Sequence, residues 1–163
     1  MDLDLQVSLS SLLTSGISEE QIEALDVIVL PENFGKNKKS LFDGQDAITL
    51  SKLLKQQNLK CANSYDLNLE TPTKERRGND IWLGQIYILN YFVLPVVTNV
   101  IASLLANAIS ERKKRKDLRA PASNVHAEIS INKRDGITNI NYSGDPEGLV
   151  NILKVLESKE NGK

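Results

Sequence analysis

The chain has 163 residues and a formal net charge of −1, a length that suits one ordinary domain or two small ones. That balance argues against a function dominated by nucleic-acid electrostatics. A single cysteine, Cys61, excludes an internal disulfide framework and a cysteine-rich zinc site, and it suits a reducing compartment.

In chain order, Leu3, Leu5, Val7 and Leu9 alternate with Asp2, Asp4, Gln6 and Ser8, the period-2 pattern of a half-buried strand. This acidic, alternating start is unlike a secretory leader, which is basic and then apolar. Ser18-Glu19-Glu20-Gln21 has the spacing of a capping box and predicts a short helix carrying Ile22 and Leu25. Val27 to Leu30, stopped by Pro31, reads as a buried strand. Residues 31–44 read as a loop with Gly35, Gly44 and lysines at 36, 38 and 39. The loop lacks the glycine and Lys-Ser/Thr spacing of a phosphate-binding loop. A helix is predicted from Gln45 to Asn58, with Ala47, Leu50, Leu53 and Leu54 on one face. Alternation from Cys61 to Leu69 predicts a strand, and strand–helix–strand suggests a right-handed βαβ crossover.

A polar linker, 70–80, leads into the most conspicuous feature of the chain. Residues 81–109 run for 29 positions without a charge and are followed by Arg112, Lys113, Lys114, Arg115, Lys116 and Arg119. As one helix this stretch would be about 43 Å long, against a hydrocarbon core of about 30 Å. Gly84, Tyr87, Tyr91, Pro95, Asn99, Ser103, Asn107 and Ser110 recur every three or four positions and trace a small or polar stripe. In lipid, such a stripe faces a second helix or a wet cavity, because small residues allow close approach and Asn or Ser bond across the contact. The chain would then self-associate or line a pore, with its basic cluster facing anionic headgroups or a partner.

A second reading makes the same stretch the core helix of a soluble domain. Gln85, Asn90, Asn99 and Asn107 weigh against insertion, and basic residues on both flanks weaken any orientation signal. Pro95 adds a kink or break.

After a second linker, 119–124, Val125, Ala127, Ile129 and Ile131 alternate with His126, Glu128, Ser130 and Asn132 to predict a strand. Asp135-Gly136 supplies turn chemistry, and residues 137–142 return as its partner. Asp145 and Pro146 open a last helix, about 146–158, with Leu149, Ile152, Leu153 and Leu156 on one stripe. His126 reads as a surface residue and Cys61 as core. No metal-ligand spacing, cofactor motif or catalytic constellation stands out.

The expected architecture is therefore α+β. It has an N-terminal βαβ-like unit (1–69), a linker (70–80), a long apolar helix with a basic end (81–118), a linker (119–124) and a ββα C-terminal unit (125–163). An apolar helix ending in a basic cluster, a strand from His126 to Asn132, a turn at Asp135-Gly136, a second strand and Gly144-Asp145-Pro146-Glu147 before a Leu-rich helix form a recognisable order. This order resembles the small effector-associated constant-component proteins of bacterial conflict systems, non-enzymatic partners of protease, caspase-like or TIR-type effectors. The resemblance implies a non-enzymatic antiviral defence protein that partners an effector encoded nearby, while the stripe implies that it also binds itself. It would sit at the bacterial inner membrane, as a single pass or peripherally, or in the cytoplasm on the core-helix reading. No cofactor, metal or nucleic-acid partner is expected.

Overall fold

The computed structural model describes residues 17–31, 43–64, 66–67, 73–74, 80–114, 124–133 and 136–161. The expected strand at Leu3–Leu9, most of the 31–44 loop and the basic residues Arg115, Lys116 and Arg119 lie outside these described residues. Helix α1 (Glu19–Glu23) starts on the predicted capping box. The Gln21 amide donates to Ser18 Oγ at 3.1 Å, and the Ser18 amide donates to Gln21 Oε1 at 2.8 Å. Strand β1 (Val27–Leu30) is buried on both faces, as its unbroken apolar run implies. After the two-residue strand β2 (Asp43–Gly44), helix α2 (Gln45–Gln56) buries Ala47, Leu50 and Leu54. It closes on Asn58, whose φ of 64° is the left-handed conformation that ends many helices.

Strand β3 (Cys61–Ala62) is much shorter than the alternation to Leu69 suggests. Asn63 and Asp66 bond each other reciprocally. The Asn63 amide donates to Asp66 Oδ2 at 2.9 Å and the Asp66 amide to Asn63 Oδ1 at 3.1 Å, which turns the chain out of the sheet. Strand β4 (Thr73–Lys74) pairs with β2.

The uncharged stretch is not one helix. Residues Ile81–Ile88 form strand β5, Tyr91–Val93 a 3₁₀ turn, and Leu94–Lys114 helix α3. The long apolar helix is present but begins 13 residues later than the sequence pattern suggests. Pro95 sits in its first turn, where no amide is needed, so it starts the helix rather than kinking it. Between the two elements, Asn90 accepts the Phe92 amide at 3.1 Å and donates to Asp26 Oδ1 at 3.1 Å. Strand β6 (Val125–Lys133), strand β7 (Gly136–Gly144) and helix α4 (Pro146–Asn161) complete the α+β architecture.

One sheet has the order β3-β1-β5-β6-β7. Strands β1 and β3 are parallel around α2, and β5 and β6 are parallel around α3. The β1–β5 and β6–β7 pairs are antiparallel. Helices α2, α3 and α4 cover one face. There Leu50 and Leu54, Val97, Ile101, Leu104 and Leu105, and Leu149 and Leu153 meet Val29, Ile86, Ile88, Ile129 and Ile131 of the sheet. On the other face, α1 covers only the β1 side, where Ile17, Ile22, Ile28, Leu30 and Tyr87 cluster. Further along, this face carries His126, Glu128, Ser130 and Asn132 of β6 and Asn139, Asn141 and Ser143 of β7, with Ile137 packed on the α1 cluster.

A bulge divides β5. Trp82 pairs with His126 and Gly84 with Ala127, so Leu83 is the extra residue. Gly84 has φ +75°, and a Cβ there would stand 2.5 Å from the Leu30 carbonyl oxygen, so only glycine fits. The bulge shifts the phase of the strand. Ile81 before it, Leu83 within it, and Ile86 and Ile88 after it all reach the helix-covered core.

Candidate functional site

The β5–β6–β7 register stacks residues in rows across this second face: Trp82, His126 and Ser143 in one row, and the buried Gln85 with Glu128 and Asn141 in the next. The most organised point is His126. Its Nε2 lies 2.9 Å from Asp80 Oδ2 and its Nδ1 lies 2.9 Å from Ser143 Oγ. Trp82 stacks on the imidazole at 3.9 Å between ring centroids and 15° between planes. Asp80 also holds backbone. Its Oδ1 accepts the Asn124 amide at 3.1 Å, while the Ile81 amide donates to the Asn124 carbonyl at 2.8 Å. The starts of the two parallel strands are thereby tied together, with His126 locked between them. A shallow groove of about 150 Å³ borders this cluster, lined among others by Gly84, Glu128 and Asn141.

Asp80, His126 and Ser143 have the connectivity of an acid–base–nucleophile line. Two features weigh against acyl transfer. The oxygen that develops charge needs converging donors, but the groove beside Ser143 is lined by the Glu128 carboxylate, which repels an oxyanion. The ring also meets serine through Nδ1 and the carboxylate through Nε2, the reverse of the triad arrangement, in which Nδ1 faces the acid and Nε2 the nucleophile. The geometry is that of a clamp: three side chains and one aromatic face hold two strand starts and the edge strand in register. Among the described residues, no group of three or more His, Cys, Asp or Glu could hold a metal ion.

Sequence alternation places His126 on the polar face, which is where it lies, but reveals neither hydrogen-bond partner by itself. Ser143 is within reach of sequence reasoning. Two residues separate Lys133 from Gly136, and counting back along both strands sets His126 opposite Ser143. Asp80 is not, because its approach depends on β5 pairing with β6 across the whole of α3.

The residues of the expected stripe part company. Gly84 and Tyr87 are buried in β5, where Tyr87 donates its hydroxyl hydrogen to Gln85 Oε1 at 3.0 Å. Tyr91 lies in the 3₁₀ turn. Pro95, Asn99, Ser103 and Asn107 do share one helix face, and that face is exposed. The opposite face of α3 buries Leu94, Val97, Val100, Ile101, Leu104 and Leu105 together with Thr98, whose hydroxyl donates to the Leu94 carbonyl at 2.9 Å. Of the basic cluster, Arg112, Lys113 and Lys114 fall on the last turn of α3.

Two buried ionisable groups are held neutral. Burial pushes the Cys61 thiol up to about 12, which leaves no thiolate for nucleophilic or redox chemistry at neutral pH. Burial, with Glu128 nearby, pushes the Tyr87 phenol up to about 12. Cys61 is thus a core residue, as expected.

Among the described residues, one segment, Tyr91–Ala108, is by length and composition apolar enough to cross a membrane, and 39% of it is buried inside the protein. No family model, curated protein or solved structure matches the chain.

Proposed function

We propose that this protein is a non-enzymatic α+β interaction module that works in solution, with α3 as its core helix and its surfaces serving to bind other protein. The supporting observation is the division of α3 into two faces. Its apolar side chains close the sheet, while Asn99, Ser103 and Asn107 point to solvent. Moving α3 into a bilayer would return the burial of its own side chains but not that of the sheet beneath. Ile81, Leu83, Ile86, Ile88, Ile129 and Ile131 are each at most 1% exposed. At about 1.5–3 kcal/mol per fully buried aliphatic side chain, even partial uncovering of these six approaches the whole stability of a small domain, about 5–15 kcal/mol.

The exposed large hydrophobics Phe92, Ile152 and Val155 supply apolar contact points for a partner. The resemblance to effector-associated proteins adds a setting: a bacterial defence system in which the partner is an effector encoded nearby.

A membrane role remains the rival, favoured by the length of Tyr91–Ala108. Carbonate extraction of membranes from expressing cells separates the two. Release into the soluble fraction, followed by purification without detergent, supports the module. Retention in the pellet overturns it.

A further inference from the structure

We propose that two copies of this chain join edge to edge through antiparallel β7 strands, making one continuous ten-stranded sheet with the two α4 helices meeting across the two-fold axis. The inference rests on the reading of the protein as a module with α3 in its core, and it names the first partner of that module: itself.

The two ends of the sheet differ sharply. At one end β3 is two residues long, and the Asn63–Asp66 turn and the Lys55–Asp66 ion pair (2.6 Å) follow it at once. Such short, charged edges are how sheets avoid pairing with strangers. At the other end β7 runs for nine residues, Gly136 to Gly144, in unbroken register with β6. It contains no charged residue and no proline. Among the described residues none of the usual guards is in place, and no strand pairs with its outer edge.

The helix above this edge is also incomplete. A Cβ on Gly148 would meet the Tyr142 hydroxyl, so this side of α4 stands over β7. Ile152 and Val155 follow Gly148 by four and seven residues and therefore lie along the same side. They are 37% and 53% exposed, whereas Leu149 and Leu153, turned to the core, are fully buried. The apolar layer between sheet and helices thus stays open at β7, with Ile140 and Tyr142 partly buried beneath it.

A second copy closes that layer by simple symmetry. An isologous contact requires a surface complementary to itself. An antiparallel pair of β7 strands centred on Ile140 meets this condition, with Gly136 opposite Gly144 and Asn139 opposite Asn141 of the second copy. Every residue keeps its side chain on its own face, and no like charges meet along the strands. A strand of nine residues is about 30 Å long, and the sheet and helix layers together are about 20 Å thick. The patch is then about 600 Å² per copy, or about 1,200 Å² in all, the lower limit of a stable specific interface.

The test uses the full chain in detergent-free buffer, by sedimentation velocity and light scattering up to about 100 µM, where a micromolar dimer is well populated. The expected species is a dimer. Asn141→Lys puts a charge on the solvent-facing side of the edge, and Val155→Glu puts one on the open side of α4. Each is expected to weaken the dimer at least about tenfold while circular dichroism and melting temperature hold, because both sites are exposed. Mild oxidation should cross-link Ile140→Cys, which faces its own copy, and leave Thr138→Cys, which faces Tyr142 of the second copy, without a cross-link. A monomer throughout, or a dimer untouched by both charged variants, overturns the proposal. Neither result bears on whether α3 inserts in lipid, which carbonate extraction reads separately.

Discussion

Asp80 and His126 are 46 residues apart in sequence and 2.9 Å apart in the folded chain, one at the start of β5 and the other near the start of β6. Their contact closes the crossover that α3 makes over the sheet. Because the same aspartate also accepts the Asn124 amide, the two hydrogen bonds act on one joint. Asp80→Ala should therefore cost about 1–2 kcal/mol, toward the low end because the Asp80 side chain is 39% exposed. His126→Ala should cost about as much, since it also removes the stack on Trp82, worth about 0.5–1.5 kcal/mol. The double variant should lose less than the sum in denaturant titrations. Strict additivity would show that the clamp is not a unit.

Gly84 is a second joint, made of backbone. Gly84→Ala places a Cβ against the Leu30 carbonyl oxygen in a left-handed conformation. The strain and the shift of β1 together should cost about 2–4 kcal/mol. Thermal unfolding checks this: a melting temperature unchanged from the parent would mean that the bulge is not held as described. A glycine that served only close approach between membrane helices would tolerate alanine well.

The two faces of α3 should respond in opposite ways. Asn99→Leu and Ser103→Leu lie on the exposed face, so their effect on stability should stay within about 0.5 kcal/mol. Ile101→Asn puts an amide in the core and should cost about 3 kcal/mol or more. Urea midpoints measure both. Equal sensitivity of the two faces would contradict this orientation of the helix.

Alkaline pH should unfold the protein before it damages it. Cys61 and Tyr87 have folded-state values raised to about 12, from ordinary values of 9.0 and 10.0. Between these limits the unfolded chain loses protons that the folded chain keeps. Stability is therefore fully present below about pH 9 and falls as pH rises toward 12. Cys61→Ala and Tyr87→Phe should each flatten that fall, read as unfolding free energy against pH. A thiol reagent at pH 8 should modify Cys61 only as fast as the protein opens.

Much of the α+β architecture is legible in the sequence. The capping box at Ser18, the β1–α2–β3 crossover, the β6–β7 hairpin and the start of α4 at Pro146 each carry a local signal, and the structure uses each one. The misreading of 81–93 as helix has a specific cause. A strand announces itself by alternation, and the extra residue at Leu83 moves the core-facing positions from odd to even numbers. Gly84, Tyr87, Tyr91 and Pro95 then fall at helical spacing by accident. The alternation after Ala62 misleads in the opposite direction, because a turn built from Asn63 and Asp66 side chains outcompetes a weak strand. For the clamp, the hairpin count contains Ser143, but Asp80 enters only through a parallel pairing with no local sequence signature.

Hydrogen exchange in detergent-free buffer tests most directly whether α3 belongs to the core. The amides of Val97 to Leu105 should exchange only through global opening, with the same free energy as those of β5, and added lipid vesicles should leave that rate unchanged. Rapid exchange of α3 while β5 stays protected, or protection of α3 that appears only with vesicles, would contradict the account.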